Sequence, residues 1–105
     1  MSQIISILGS GFSSLSAACY LSREGHDVTI YEKNKTFGGR ATQMIHKGYK
    51  FDIGPSWYWM PDVFERFFGD FDQKVSDYYT LTKLDPGYQV YFGASDSVLI
   101  SANLD

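Results

Sequence analysis

Long hydrophobic runs are missing from this 105-residue sequence. No stretch approaches the ~18 consecutive apolar residues that a spanning helix needs, so none is expected to cross a membrane. The apolar run Ile4 to Leu8 has no basic residue ahead of it and is too short for a signal peptide. Cysteine is scarce. One residue excludes an internal disulfide framework, and one cysteine with two histidines is a poor basis for zinc. Excess positive charge is absent as well. Nine Lys and Arg face twelve Asp and Glu, a net −3, which argues against nucleic acid as a partner because phosphate backbones need a basic face. The expected compartment is the cytoplasm, with peripheral association with a membrane left open.

What is present is globular in composition, 44% hydrophobic and 17% aromatic, in a length that allows one domain with a modest core. Its two halves differ. Residues 1–50 hold six Lys and Arg against three Asp and Glu, whereas residues 51–105 hold three against nine. Fourteen of the eighteen aromatic residues lie from Tyr49 onward. The first half suits a nucleotide cradle; the second suits packing around something large and apolar.

Gln3 to Leu8 is a β-branched apolar run of the kind buried on both faces of a parallel sheet. A helical period follows from Phe12 to Glu24, with Phe12, Leu15, Ala18, Cys19 and Ser22 on one face and Leu21 beside it. Cys19 on that face is expected to be a buried, inert thiol. Gly25 suits the residue after a helix, and Asp27 to Glu32 is a second strand, which completes a β–α–β unit. Lys33 to Thr36 is loop, Gly38-Gly39-Arg40 a second glycine turn, and Tyr49 to Ile53 a half-exposed strand. Both His26 and His46 are expected in exposed turns or loops. Pro61 opens a helix whose Val63, Phe64, Phe67 and Phe68 share a face and which Gly69 stops. Leu81 to Leu84, Tyr88 to Phe92 and Val98 to Ala102 read as a three-stranded β-meander.

Gly9-Ser10-Gly11-Phe12-Ser13-Ser14 is G-x-G-x-x-S between strand and helix. Gly9 permits the tight turn, and Gly11 lets a pyrophosphate approach the backbone. The third position must be small for helix and sheet to pack. Ser14 departs from the usual Gly or Ala there and predicts slightly looser packing. Helix-start amides and the helix dipole hold the anion. Glycines between strand and helix often serve packing only, but Glu32 ends the second strand 23 residues after Gly9, where an acid accepts hydrogen bonds from ribose hydroxyls and repels a 2′-phosphate. The second glycine turn suits FAD, a longer body than NAD, with Arg40 supplying charge to phosphate or flavin; its blander role is a surface ion pair. No Ser-His-Asp or metal-ligand pattern can be assembled, and the catalytic residue is unassigned.

E-K-x-x-x-x-G-G-R after G-S-G-F-S-S-L-S-A-A-C-Y-L resembles the N-terminus of the FAD-dependent amine oxidase and carotenoid desaturase superfamily. Gly48 to Ser56, Met60-Pro61-Asp62-Val63-Phe64 and Leu84-Asp85-Pro86-Gly87-Tyr88 resemble the bacterial-type phytoene desaturases, over Ile4 to about Ala102. The resemblance implies a doubly wound α/β FAD-binding fold, present only in part. Residues 1–70 would belong to the nucleotide-binding domain, and 71–105 would open a truncated substrate domain. It also implies a hydrophobic polyene substrate, oxidised from C–C to C=C by hydride transfer to flavin. By that resemblance Gly9, Gly11, Ser14 and Glu32 bind the ADP half of FAD. Gly38, Gly39 and Arg40 lie near the pyrophosphate, and the loop from Asp52 to Ser56 lies near the flavin ring. Ser10, Phe12, Ser13, Lys33, Gly54, Pro55 and Ser56 complete the cofactor-binding set. Asp52 is the one candidate for proton transfer. Trp57-Tyr58-Trp59-Met60 would either line the passage to the flavin or pack in a core.

Thr36 stands where many amine oxidase members have Arg, and Gln43 where they tend to have Ser or Thr, which makes an amine oxidase a weaker fit. Family members are several times longer, so the chain is expected to lack the remainder of the enzyme. The rivals are another FAD oxidoreductase such as an amine or protoporphyrinogen oxidase, a non-catalytic truncated product, and a small NAD(P)-binding module.

Overall fold

The computed structural model describes residues 1–54 and 57–102. The chain divides into two compact units, Met1–Trp59 and Met60–Asp105.

In the first unit, β1 (Ile4–Leu8) and β2 (Asp27–Tyr31) pair in parallel, with register from Ile4↔Asp27 to Leu8↔Tyr31. The helix between them, α1 (Phe12–Arg23), makes the crossover. It ends where expected, with Gly25 at φ +86. Strand burial alternates. Ile5, Ile7, Val28 and Ile30 share the half-buried face, while Ile4 and Leu8 stay exposed. The expectation of a strand covered on both faces is thus corrected: among the described residues the sheet has two strands, and α1 packs against it from one side. Ser14, Leu15, Ala18 and Leu21 are half-buried on α1. Phe12 and Ser22 are exposed, and Cys19, expected buried, is exposed too. Two strands are narrower than the face read from the sequence, so only its centre is covered.

After the second glycine turn, β3 (Thr42–His46) and β4 (Tyr49–Ile53) form an antiparallel hairpin, register Thr42↔Ile53 to His46↔Tyr49. The strand β4 was expected; β3 was not, and it places His46 in a strand. Lys47 (φ +50) and Gly48 (φ +82) make the connection, the two positive φ values of a type I′ turn, whose twist matches that of the strands.

In the second unit, α2 (Pro61–Gly69) begins with proline in its first turn and Asp62 at its positive end. Its aromatic face closes on the following segment: Phe67 lies 5.2 Å from Phe71, and Phe68 lies 4.9 Å from Tyr78, between ring centroids. A single 3-10 turn, Val75–Asp77, follows. The expected meander reduces to one ribbon, β5 (Tyr88–Tyr91) with β6 (Ser97–Ile100). Leu81 to Leu84 is not a strand, because β6 takes one side of β5 and no other strand pairs with it among the described residues. No helix among the described residues is long and apolar enough to cross a membrane.

Candidate dinucleotide-binding cleft

The parallel register brings two chain breaks together. Leu8 and Tyr31 are the last pair, so Gly9 and Glu32 both leave the sheet at the carboxyl ends of their strands. That is where open α/β sheets bind ligands. The Gly9 amide donates to the Tyr31 carbonyl at 2.7 Å and turns the chain toward α1. Gly11 caps the helix at φ −70, ψ 171, with no side-chain cap and no acid in the first turn. No acid from the first turn of α1 therefore offsets the positive end of its dipole.

The second glycine turn is built onto the first. Gly38 donates to the Ser10 carbonyl at 2.9 Å, and Gly11 and Gly38 form a parallel bridge. At Gly39, φ is +64 and a Cβ would sit 3.0 Å from the Gly11 Cα. Both disfavour any side chain at this position. Gly54 presses on the same turn, since its Cβ would stand 2.5 Å from the Arg40 carbonyl oxygen. Gly11 is the opposite case: its φ suits any residue, and a Cβ there would meet nothing within 4 Å. The protein's own packing does not demand glycine at 11, and the open space before it is what the pyrophosphate of a dinucleotide would use.

Glu32 is the electrostatic centre. Its Oε2 accepts from the Ser10 amide (2.8 Å) and the Ser10 hydroxyl (2.6 Å). Its Oε1 accepts from the Asn34 amide (2.8 Å) and Asn34 Nδ2 (2.9 Å). The Ser10 hydroxyl first, then the backbone amides of Asn34 and Ser10, hold the carboxyl down from 4.5 to about 2. Ser10 is 3% exposed, the one buried polar residue among those described.

These elements border a cleft of about 610 Å³, lined by Leu8 and Tyr31 at the strand ends, Gly9 to Gly11, Glu32 to Asn34, and Gly39. Of the expected cofactor-binding residues, Gly9, Ser10, Gly11, Glu32, Lys33 and Gly39 line it together. Phe12, Ser13, Ser14, Gly38, Arg40 and Gly54 do not; Gly38, Arg40 and Gly54 act on its walls through the backbone. Pro55 and Ser56 lie outside the described residues. Asp52 sits in β4, where it accepts from Gln43 Nε2 at 3.3 Å across the hairpin, away from the cleft lining. Asn34 was missed by sequence reasoning. Its only signal is a short amide side chain two residues after a strand-end carboxylate. Among the described residues no group of three or more His, Cys, Asp and Glu is placed to hold a metal.

Residues 7–73 match the NAD(P)-binding Rossmann-like domain. The chain belongs to that family. Over 101 residues it is 48% identical to the carotenoid 3,4-desaturase of Haloarcula japonica, covering 96% of this chain and 20% of the relative. It is 40% identical over 98 residues to the phytoene desaturase of Phycomyces blakesleeanus, covering 93% of this chain and 17% of the relative. It is 37% identical over 100 residues to the 4,4'-diapophytoene desaturase (4,4'-diaponeurosporene-forming) of Staphylococcus haemolyticus, covering 95% and 20%. The chain thus spans about a fifth of the length of these curated relatives. Within this Rossmann-like unit, the G-x-G turn, the strand-end acid and the helix start occupy the places at which the fold receives a dinucleotide.

Proposed function

We propose that this chain is the FAD-binding part of a carotenoid-type desaturase that oxidises C–C to C=C bonds in a hydrophobic polyene. The observation that carries the reading is the interlock of the two glycine turns. Gly39 lines the cleft and abuts Gly11, so the phosphate cradle has a second backbone wall. The α1 amides would receive the anionic bridge, and Glu32 would receive ribose hydroxyls. Lys33 lines the same cleft and supplies a cation beside it. The ionised Glu32 disfavours a 2′-phosphate and hence NADP. FAD, when bound, supplies the hydride acceptor, while a proton is lost from the neighbouring carbon of the substrate. The names of the three relatives, all desaturases, support the polyene substrate. The second reading is an NAD-binding unit, favoured by the description of the matching domain.

The test is a chimera in which this chain replaces the matching segment of the Haloarcula japonica carotenoid 3,4-desaturase. The folded chimera, checked by circular dichroism, should release FAD on acid denaturation and desaturate a carotenoid precursor. Recovery of NAD from a folded chimera would overturn the FAD assignment. Bound FAD without turnover would leave the cofactor reading and remove the substrate reading.

A further inference from the structure

The Glu32 carboxylate has no acceptor capacity to spare. Two carboxylate oxygens offer about four lone-pair positions, and four donors fill them. The donors fall into two kinds. Each oxygen takes one backbone amide, Ser10 N on Oε2 and Asn34 N on Oε1, whose positions are set by the path of the chain. Each oxygen also takes one rotatable side-chain donor, the Ser10 hydroxyl on Oε2 and Asn34 Nδ2 on Oε1. All three residues line the cleft.

We propose that Ser10 and Asn34 are placeholders: their side chains hold the two acceptor positions that the hydroxyls of an adenosine ribose diol take, and nucleotide enters by exchanging hydrogen bonds one for one. This rests on the dinucleotide reading above. The exchange is feasible on both sides. Asn34 is exposed, so its released amide passes to water; Ser10 is 3% exposed, so its hydroxyl must turn about χ1 toward the cleft it lines and pair there with the incoming ribose. The two backbone amides keep the carboxylate aimed throughout. Ser10 and Asn34 are therefore specificity-determining positions, because only a ligand that returns two donors recovers what it displaces.

The proposal has a sign that an ordinary supporting role lacks. If the side chains only brace Glu32, removing them weakens nucleotide binding. If they compete with the ribose, removing them tightens it.

The experiment titrates the full chain, held below the concentration at which sedimentation shows self-association, with ADP and with 2′,3′-dideoxy-ADP, followed by amide chemical shifts of Gly9 to Ser14 and Glu32 to Asn34. Ser10→Ala and Asn34→Ala should each bind ADP about fivefold more tightly than the unaltered chain, the worth of one ordinary hydrogen bond no longer exchanged. Dideoxy-ADP, which lacks the diol, should bind all three proteins alike. The Glu32 carboxyl, followed by carbon-13 shift against pH, should titrate higher in each variant, which shows that the donor has gone from a folded network. Asn34→Ala alters an exposed loop side chain and tests the idea even if Ser10→Ala perturbs the turn. ADP binding that is unchanged or weaker in the variants overturns the exchange and leaves the nucleotide reading intact. No ADP response in any of the three proteins overturns both.

Discussion

Glu32 makes a pH prediction at the scale of one residue. Its folded carboxyl titrates near 2 against an ordinary 4.5, so its network stabilises the fold fully above about pH 4.5, and this contribution is lost as pH falls toward 2. Urea midpoints measured across that window should drop, and Glu32→Gln should remove this component of the drop. Gly11 and Gly39 form a second pair of tests. Gly11→Val sets its Cβ where no atom beyond its chain neighbours lies within 4 Å, at a φ that valine accepts. The variant should lose about 1 kcal/mol, the cost of a poorer N-cap, and stay folded while losing nucleotide binding, measured by thermal melting and by titration. Gly39→Ala meets a positive φ and the Gly11 Cα together, so it should cost about 1–3 kcal/mol and disturb both turns. The pair Gly9 and Glu32 was legible in the sequence because strand–turn–helix spacing sets it. Asn34 was not, because nothing about a polar loop residue shows which neighbour its amide will meet.

At the scale of the element, the β–α–β unit and α2 were readable because hydrophobic period and helix boundaries agree in each. The hairpin was half readable. Tyr49 to Ile53 alternates, but Thr42-Gln43-Met44-Ile45-His46 does not, and Lys-Gly is a weaker turn signal than Asn-Gly. Leu81 to Leu84 erred in the other direction: a strand-like composition makes no strand without a partner edge. Cys19 was misplaced because the helix face was drawn for a wider sheet than the two strands present. The turn itself is testable. Gly48→Val puts a β-branched side chain at φ +82, which should destabilise the hairpin by about 1–3 kcal/mol and speed amide exchange across Thr42 to Ile53 while leaving β1 and β2 protected.

At the scale of the whole molecule, large apolar side chains lie exposed. No hydrophobic residue among those described is buried, and Leu8, Tyr49, Trp59 and Leu99 are all exposed. Surface of this kind promotes association. The 105-residue chain in isolation should bind a hydrophobic dye, self-associate with concentration in sedimentation, and convert no carotenoid precursor; turnover by a soluble monomer would contradict this. The parallel register carries a different consequence, for inheritance. Only Glu24, Gly25 and His26 connect α1 to β2, leaving little slack to absorb a lost codon. Losing one would draw β2 back by about 3.3 Å and turn its side chains over. Lys33 would then arrive where Glu32 now stands, and a cation would face the Ser10 donors. A lost Lys35 codon, by contrast, shortens a loop after the acid is already in place. Reading-frame-preserving deletions should therefore be tolerated on one side of β2 and purged on the other, a pattern that a codon-deletion library selected for nucleotide binding would display directly.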